Sequence, residues 1–241
     1  MEPLYNQDLA YIHAVAFGGL ARGAAPGIVR LLKSAAIPIR SIVDVGCGAG
    51  ALTAILVEAG FEVLGIDSSS ELLAIARTNA PAARFVNASI YDIEIPACEA
   101  IVALGEPLTY HSEGADADRL VQDFFRRASA VLPAGGMLIF DVIETGEPSL
   151  AGRSWSSGED WAAMIETCED QASRWLVRTI ETFRLVDHLY RRGREIHQVR
   201  LFNTDELIGQ LAACGFATET AQTYGAQRLP PRRRAFFCTR R

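Results

Sequence analysis

Two carboxylates and three glycines are the residues of this chain best placed to hold a ligand. Asp44 stands two positions before Gly46, within the stretch Val43-Asp44-Val45-Gly46-Cys47-Gly48-Ala49-Gly50. Glycines at alternate positions let a backbone turn sharply and pass close to a bound group. Asp67 follows twenty-one residues after Gly46. A carboxylate there can accept hydrogen bonds from both hydroxyls of a ribose. A carboxylate at position 44 repels an anion laid over the glycine loop and attracts a cation.

The elements around these residues read as strand, turn, helix, strand. Ile42, Val43 and Val45 end a buried parallel strand. Ala51–Val57 continues with helical apolar spacing and stops at Gly60. Phe61–Ile66 is a second strand, and it delivers Asp67. This is the nucleotide-binding corner of a doubly wound sheet. The glycines alone also suit a dinucleotide, with Ala51 in the sixth place of that pattern. Asp44 argues against a pyrophosphate and for S-adenosylmethionine, whose sulfonium and ammonium are cations. Val43–Gly50 with Leu64–Asp67 resembles the first two motifs of the class I S-adenosylmethionine-dependent methyltransferases. Pro133-Ala134-Gly135-Gly136 before a fifth strand, and two final strands joined without a helix, are similar to further features of that family. Leu104–Tyr110 and the stretch from Tyr224 to Pro231 resemble its bacterial small-molecule members.

The resemblance implies a Rossmann-like α/β fold, a doubly wound seven-stranded sheet, with S-adenosylmethionine as cofactor. The methionine end is expected over Gly46, Cys47 and Gly48 beside Asp44, its ammonium on the Leu104 carbonyl. The ribose is expected on Asp67, with Ser68 adjacent. Adenine is expected between Ser89 and Ile90, after a third strand at Arg84–Asn87. The family usually carries Gly-Asp at that turn. Ala88-Ser89 stands here, a hydroxyl without charge, and Asp92 is an alternative acceptor. A helical N-terminal cap over residues 1–41 would bring Tyr5, Tyr11 and His13 toward the cofactor or the acceptor.

Along the chain, Asp8–Phe17 reads as a helix, broken by Gly18-Gly19 and Gly23 before Pro26 opens a second helix over Gly27–Ser34. Ser68 and Glu71 have capping-box spacing. Ala100–Leu104 is a fourth strand. Glu106, Thr109, Tyr110 and His111 follow at its C-terminal end, where open α/β sheets bind ligands; His111 there is either catalytic or an ordinary surface residue. Asp118–Val131 is an amphipathic helix and Met137–Ile143 a fifth strand. From Trp155 to Phe202 the pattern alternates with a period of two. Trp175, Val177, Thr179, Glu181, Phe183 and Leu185 share a face. Ile196, Gln198, Arg200 and Phe202 do the same in the next segment, with Arg192-Gly193 as the turn between them. A helix from Thr204 to Ala212 follows, then strands over Ala217–Tyr224 and Arg234–Thr239.

The chain therefore divides into a cap (1–41), a cofactor domain (42–149 and 203–241) and an antiparallel β insertion after strand five (150–202). The insertion holds all three tryptophans, Trp155, Trp161 and Trp175, with Phe183 and Tyr190. Aromatic walls suit an apolar or planar acceptor, so the insertion and residues 1–25 are expected to form a substrate lid; the competing reading is a dimer interface. Arg178, Arg184, Arg191, Arg194 and the run Arg232-Arg233-Arg234 are expected to be solvated.

Composition bounds the partners. The 241 residues, 49% of them hydrophobic, suffice for one sizeable core with an insertion. The net charge of −6 argues against nucleic acid. Five cysteines form no CxxC and read as reduced cytoplasmic thiols. No run approaches a membrane span, no basic-then-apolar start suggests a signal peptide, and no metal site is expected.

The reaction expected is in-line transfer of a methyl group to a small-molecule acceptor, by a monomer or homodimer. The protein supplies proximity, orientation and desolvation. A general base is required only when the acceptor holds its proton, so no catalytic residue is singled out. The alternatives are a nicotinamide-dependent oxidoreductase, disfavoured by Asp44, and a cofactor-binding protein without catalysis.

Overall fold

The structure, a computed structural model, describes residues 4–111 and 116–241. In chain order its elements begin with α1 (Gln7–Ala16), α2 (Gly19–Lys33), β1 (Ser41–Val45), α3 (Ala51–Glu58), β2 (Glu62–Asp67), α4 (Ser70–Asn79), β3 (Arg84–Asn87) and β4 (Ala100–Ala103). A short 3-10 turn at Pro107–Thr109 precedes α5 (Ala117–Val131) and β5 (Met137–Ile143). Then come β6 (Gly152–Ser157), β7 (Trp161–Asp170), β8 (Trp175–Val186) and β9 (Leu189–Arg200). The chain continues through α6 (Thr204–Ala213), β10 (Phe216–Ala221), β11 (Thr223–Tyr224), β12 (Gln227–Arg228) and β13 (Arg233–Arg240).

Seven strands form the central sheet in the order β10-β13-β5-β4-β1-β2-β3, and β13 alone runs antiparallel to its neighbours. β4 and β5 are buried throughout. Strand side chains alternate between faces, which splits them between two layers. Val43, Ile101, Leu138 and Phe140 pack with Phe124 and Phe125 of α5. Ile42, Val102 and Ile139 pack with Ile28 of α2 and Leu56 of α3. Each such fully buried side chain stabilises the fold by about 1.5–3 kcal/mol. The strand order, with helices packed on both faces, gives the doubly wound sheet expected, with the antiparallel insertion β6-β7-β8-β9 after β5. No single helix among the described residues is long and apolar enough to cross a membrane.

Five local expectations are corrected. Pro26 lies inside α2 and opens no helix, and Gly19 and Gly23 do not interrupt it. Burial of Ala24, Ala25, Ile28 and Leu32 outweighs the unfavourable local propensity. Gly27 serves a close approach: a Cβ there would lie 2.7 Å from the Tyr224 carbonyl carbon and oxygen.

The cap of α4 is Ser69, whose Oγ accepts from the Leu72 amide at 3.1 Å; Ser68 stands outside the helix. The turn between β8 and β9 is Asp187-His188, with φ of 47° and 70°. Those angles suit a two-residue hairpin loop. Gly193 sits inside β9 opposite Thr182, whose Oγ1 would be 2.6 Å from an added Cβ. Phe202 lies beyond β9 and joins the main core. The strand begun near Ala217 ends at Ala221, and Tyr224 belongs to the small hairpin β11–β12.

Candidate active site

β1 ends at the glycine turn, where Gly46, Gly48 and Gly50 all have positive φ. The Gly46 and Cys47 amides donate to the Ile66 carbonyl at 2.7 and 3.1 Å, so the turn is pinned to the end of β2. A Cβ on Gly46 would meet the Pro107 Cβ at 2.3 Å, whereas one on Gly48 would meet only His13, at 3.8 Å. The loop after β4 therefore closes on one glycine and leaves the other facing open space.

Asp67 ties two turns together. Its Oδ2 accepts from the Gly48 amide and its Oδ1 from the Ser69 amide, both at 2.9 Å. Each oxygen keeps a lone pair for a further donor. Burial raises the carboxyl pKa, and the Ser69, Gly48 and Ser68 amides oppose the rise. Asp44 is more deeply enclosed, and its Oδ2 accepts from the Thr53 hydroxyl at 2.6 Å. Burial pushes it up to about 7 against that hydrogen bond. A cation beside Asp44 would favour its ionised form.

These groups share one cavity of about 720 Å³. All ten residues expected at the cofactor line it: Tyr5 from the N-terminal segment, Asp44, Gly46, Cys47 and Gly48 at the turn, Asp67 and Ser68 after β2, Ser89 and Ile90 after β3, and Leu104 after β4. Asp92, His13, Tyr110 and His111 line it as well. Tyr11 does not: its hydroxyl donates to Asp160 at 2.9 Å, and its ring lies 3.5 Å under the Arg184 guanidinium. Burial holds His13 and His111 down at about 4, His197 contributing to the first, so both rings are neutral at pH 7. Burial raises the Tyr5 and Tyr110 hydroxyls, which stay protonated.

Tyr5 is clamped between three parts of the molecule. Its amide and that of Asn6 donate to Glu195 of β9 at 2.7 and 2.8 Å. Its carbonyl accepts from the Ser69 hydroxyl at 3.0 Å, and its own hydroxyl lies 3.3 Å from that of Tyr110. Residues 4–6 of the cap are thereby fastened to both the insertion and the cofactor domain; residues 1–3 lie outside the described residues.

Glu106 was legible only as a residue near the mouth of the site; its role is structural and central. It has φ of 67°, is buried, and meets Arg178 of β8 at 2.6 Å and Arg233 of β13 at 2.5 Å. Burial pushes its carboxyl up, but Arg233 and Arg178 overcome that and hold it at about 2. Arg178 also donates to the Tyr110 hydroxyl at 3.3 Å. Several arginines expected in solvent are thus engaged. Arg184 and Arg191 reach Asp8 of α1, Arg232 is buried against the Glu144 and Pro148 carbonyls, and Arg234 pairs with Glu144. Arg194 alone of the four in the insertion is mainly exposed, at 60%.

The tryptophans do not wall the cavity. None lines it, and Trp155 is 76% exposed. The aromatic lining comes from Tyr5, His13, Phe17, Tyr91, Tyr110 and His111. The insertion acts from behind, through Glu195, His197 and Arg178.

The residues fit S-adenosylmethionine. Asp44 and Asp67 are acceptors with capacity to spare, and a Cβ at either Gly48 or Gly105 would project into otherwise open space. The donor set is oxygen-rich, as a cationic, hydroxylated ligand requires. Among the described residues no three His, Cys, Asp or Glu side chains are grouped to hold a metal.

Comparison with known proteins agrees with this geometry. A sequence family described as a methyltransferase domain matches residues 42–136. A provisionally named methyltransferase of Geobacillus sp. (strain WCH70) is 28% identical over 186 residues, 73% of this chain and 74% of that one. The fold is similar to that of an S-adenosylmethionine-dependent methyltransferase from Clostridium acetobutylicum ATCC 824, with a TM-score of 0.80, 18% identity, and 95% and 96% of the two chains covered. It is also similar to the S-adenosylmethionine-bound amino pentose methyltransferase of calicheamicin biosynthesis from Micromonospora echinaspora, with a TM-score of 0.76, 19% identity and both chains covered in full. The stretch that the methyltransferase domain matches is the one that turns through Gly46 and ends β2 at Asp67, and there the chain is similar to the S-adenosylmethionine-dependent methyltransferases.

Proposed function

We propose that the enzyme methylates a small molecule bound in the same cavity as the cofactor. The observation that carries this reading is the fastening of Tyr5 to Glu195 on one side and Ser69 on the other. Residues 4–6 and the insertion then form a lid, and a lid so tied admits a small acceptor and obstructs a macromolecule. A cavity of about 720 Å³ lies within the range of ~300–1,000 Å³ typical of ligand sites. The net charge of −6 favours no nucleic-acid acceptor. The five unpaired cysteines support a cytoplasmic setting.

In this reading Asp67 and Ser68 hold the ribose, Ser89 and Ile90 flank adenine, and Asp44, the Gly46–Gly48 turn and the Leu104 carbonyl hold the methionine end. The bound cofactor supplies a methyl carbon made electrophilic by its sulfonium. Asp44 sheds its proton as the cation arrives. Tyr5, Tyr110, His13 and His111 exclude water and surround the acceptor with neutral polar groups. With both imidazoles held near 4, neither adds a competing positive charge at pH 7.

The likeness to an amino pentose methyltransferase puts amino sugars in the test panel, beside amines, phenols, hydroxy acids and carboxylates. Transfer of labelled methyl from the cofactor would be followed by mass spectrometry, with Asp67→Ala as the binding control. That variant is expected to weaken S-adenosylhomocysteine by about 1.5–3 kcal/mol, the range for hydrogen bonds to a charged group. Label appearing on RNA or protein, and on no member of the panel, would refute the small-molecule reading. Unchanged binding by Asp67→Ala would refute the ribose assignment.

A further inference from the structure

Asp141 is the one acidic residue of β5, a strand buried along its whole length. It is fully enclosed, and the cofactor assignments above give it no part. Three donors surround its carboxylate. Its Oδ1 accepts from the Gly105 amide at 2.9 Å and from the Tyr224 hydroxyl at 3.1 Å. Arg233 of β13 brings its Nε to 3.5 Å from Oδ2, which accepts no hydrogen bond among the described residues. Burial pushes the carboxyl up to about 6; Arg233, the Gly105 amide and Tyr224 oppose the rise, and Glu106 adds to it. The ionised form therefore prevails at pH 7.

A buried carboxylate is unfavourable unless something is gained from it. Its contact with Gly105 shows where the charge is directed. The Gly105 N–H and the Leu104 carbonyl belong to one peptide unit. Among the described residues the cis peptide bond is Glu147-Pro148, so this unit is trans, and its C=O points opposite to its N–H. Asp141 holds the N–H toward the core, and the carbonyl faces the other way. Leu104 and Gly105 both line the cavity. No hydrogen bond among the described residues occupies the Leu104 carbonyl. Gly105 and Glu106 have φ of 88° and 67°, so the chain turns immediately after this peptide.

We propose that Asp141 is a positioning residue for the cofactor, acting through the Leu104–Gly105 peptide. By taking the Gly105 N–H it aims the Leu104 carbonyl into the cavity and strengthens it as an acceptor for the α-ammonium. This rests on the reading above that puts the ammonium on that carbonyl. Two physical effects combine. A hydrogen bond to an ionised acceptor is roughly twice as strong as a neutral one, so the peptide plane is held in one orientation. Hydrogen bonds in a chain also polarise one another, so negative charge behind the N–H raises electron density on the carbonyl oxygen. Asp141 is itself fixed by Tyr224 and Arg233, which leaves its Oδ1 aimed at Gly105. Its part differs from that of Asp44, which lines the cavity and faces the cation directly.

The test is calorimetric binding of three ligands to the full chain. They are S-adenosylhomocysteine, its analogue lacking the α-amino group, and 5′-methylthioadenosine, which keeps adenine, ribose and thioether without the aminoacyl part. Wild type should prefer S-adenosylhomocysteine to the deaminated analogue by at least about tenfold, as one hydrogen bond to a charged group allows. Asp141→Ala should cut that preference about three- to tenfold, the range for one hydrogen bond lost. It should leave 5′-methylthioadenosine unchanged, whereas a variant that merely loosens the site weakens that ligand too. Asp141→Asn keeps an oxygen for the Gly105 N–H without the charge, and its preference should fall between the two. Far-UV circular dichroism checks that each variant is folded. Full preference retained in both variants overturns the proposal, and so does an equal loss for all three ligands. If the alanine variant does not fold, asparagine decides, and a preference equal to that of wild type overturns the proposal. Equal binding of S-adenosylhomocysteine and its deaminated analogue by wild type refutes the ammonium reading itself, independently of either variant.

Discussion

Arg178 of β8 meets Glu106 of the loop after β4 at 2.6 Å, and Arg233 of β13 takes the other oxygen of the same carboxylate. The ion pair joins the insertion to the loop that carries Gly105, Pro107 and Tyr110. Arg178→Met leaves Glu106 buried with one partner in place of two. Removing one partner of a buried pair costs about 3–5 kcal/mol, and Arg233 should reduce the loss to about 1–3 kcal/mol. Glu106→Gln in the same background should restore part of it. The pH dependence has a fixed sign. Glu106 is held at about 2, below its ordinary value of 4.5, so its contribution is present above the ordinary value and lost as pH falls toward 2. Urea denaturation from pH 6 to pH 2 should show a shallower acid limb for Arg178→Met than for wild type. Parallel limbs would contradict the pairing.

Asp44 acts in the opposite direction. Its folded value of about 7 lies above the ordinary 3.8. The ligand-free protein therefore holds a proton that the unfolded chain releases, and the associated stability fades as pH rises from about 4 to 7. Asp44→Asn should stabilise the ligand-free protein above pH 7 by on the order of 2–4 kcal/mol, since each tenfold change in proton affinity is worth about 1.36 kcal/mol. The same substitution should weaken binding of S-adenosylhomocysteine, whose ammonium favours the carboxylate. Calorimetry in buffers of different ionisation enthalpy should report proton release on binding at pH 6.5 in wild type and less in the variant. Equal release in both would place the titrating group elsewhere.

Glu195 holds two amides of the N-terminal segment. Glu195→Ala removes the acceptor of the Tyr5 and Asn6 N–H groups. Hydrogen exchange at both positions should accelerate by about tenfold, the equivalent of about 1.4 kcal/mol of local opening. The central sheet should keep its protection. Unchanged exchange at Tyr5 and Asn6 would show that the clamp contributes nothing in solution.

Gly27 meets the Tyr224–Gly225 backbone. Gly27→Ala improves helix propensity by about 1 kcal/mol, yet it forces a Cβ to within 2.7 Å of the Tyr224 carbonyl. The steric term should win, because backbone cannot yield as a side chain can. The expected outcome is a net loss of about 1–3 kcal/mol, typical of overpacking. A raised melting temperature would mean that α2 and the β11–β12 hairpin part easily.

The cofactor end of the site was legible because each of its residues sits at a strand end, where position along the chain fixes position in the fold. Asp44, Asp67, Ser89 and Leu104 lie at or just past the ends of four parallel strands whose apolar runs are unambiguous. The rest depended on pairings between distant parts of the chain. Glu106 and Arg178 are 72 residues apart, and no local pattern announces that they meet. The alternation in β8 was plain, but a period of two does not say which face turns inward, and the face carrying Trp155 turned out. Arg192-Gly193 resembled a turn because glycine permits one, while Asp187-His188 adopted the left-handed angles that made it. Gly23 read as a helix breaker, although what it supplies is room for the Gln227 side chain.

The antiparallel strand β13 also sets an order of assembly. It lies between β5 and β10, so the sheet is open at that seam while ribosomes are still making residues 233–240. Domains generally begin folding from the N-terminal side during synthesis. The glycine turn and β1–β5 can form early, yet Arg233 of the late strand is half of the neutralising charge on Glu106. Until that arginine arrives, the loop bearing Tyr110 holds a carboxylate it cannot comfortably enclose. A nascent chain whose sheet still lacks β10 and β13 would thus have a loose active-site loop, and the competence of the enzyme would arrive with β13.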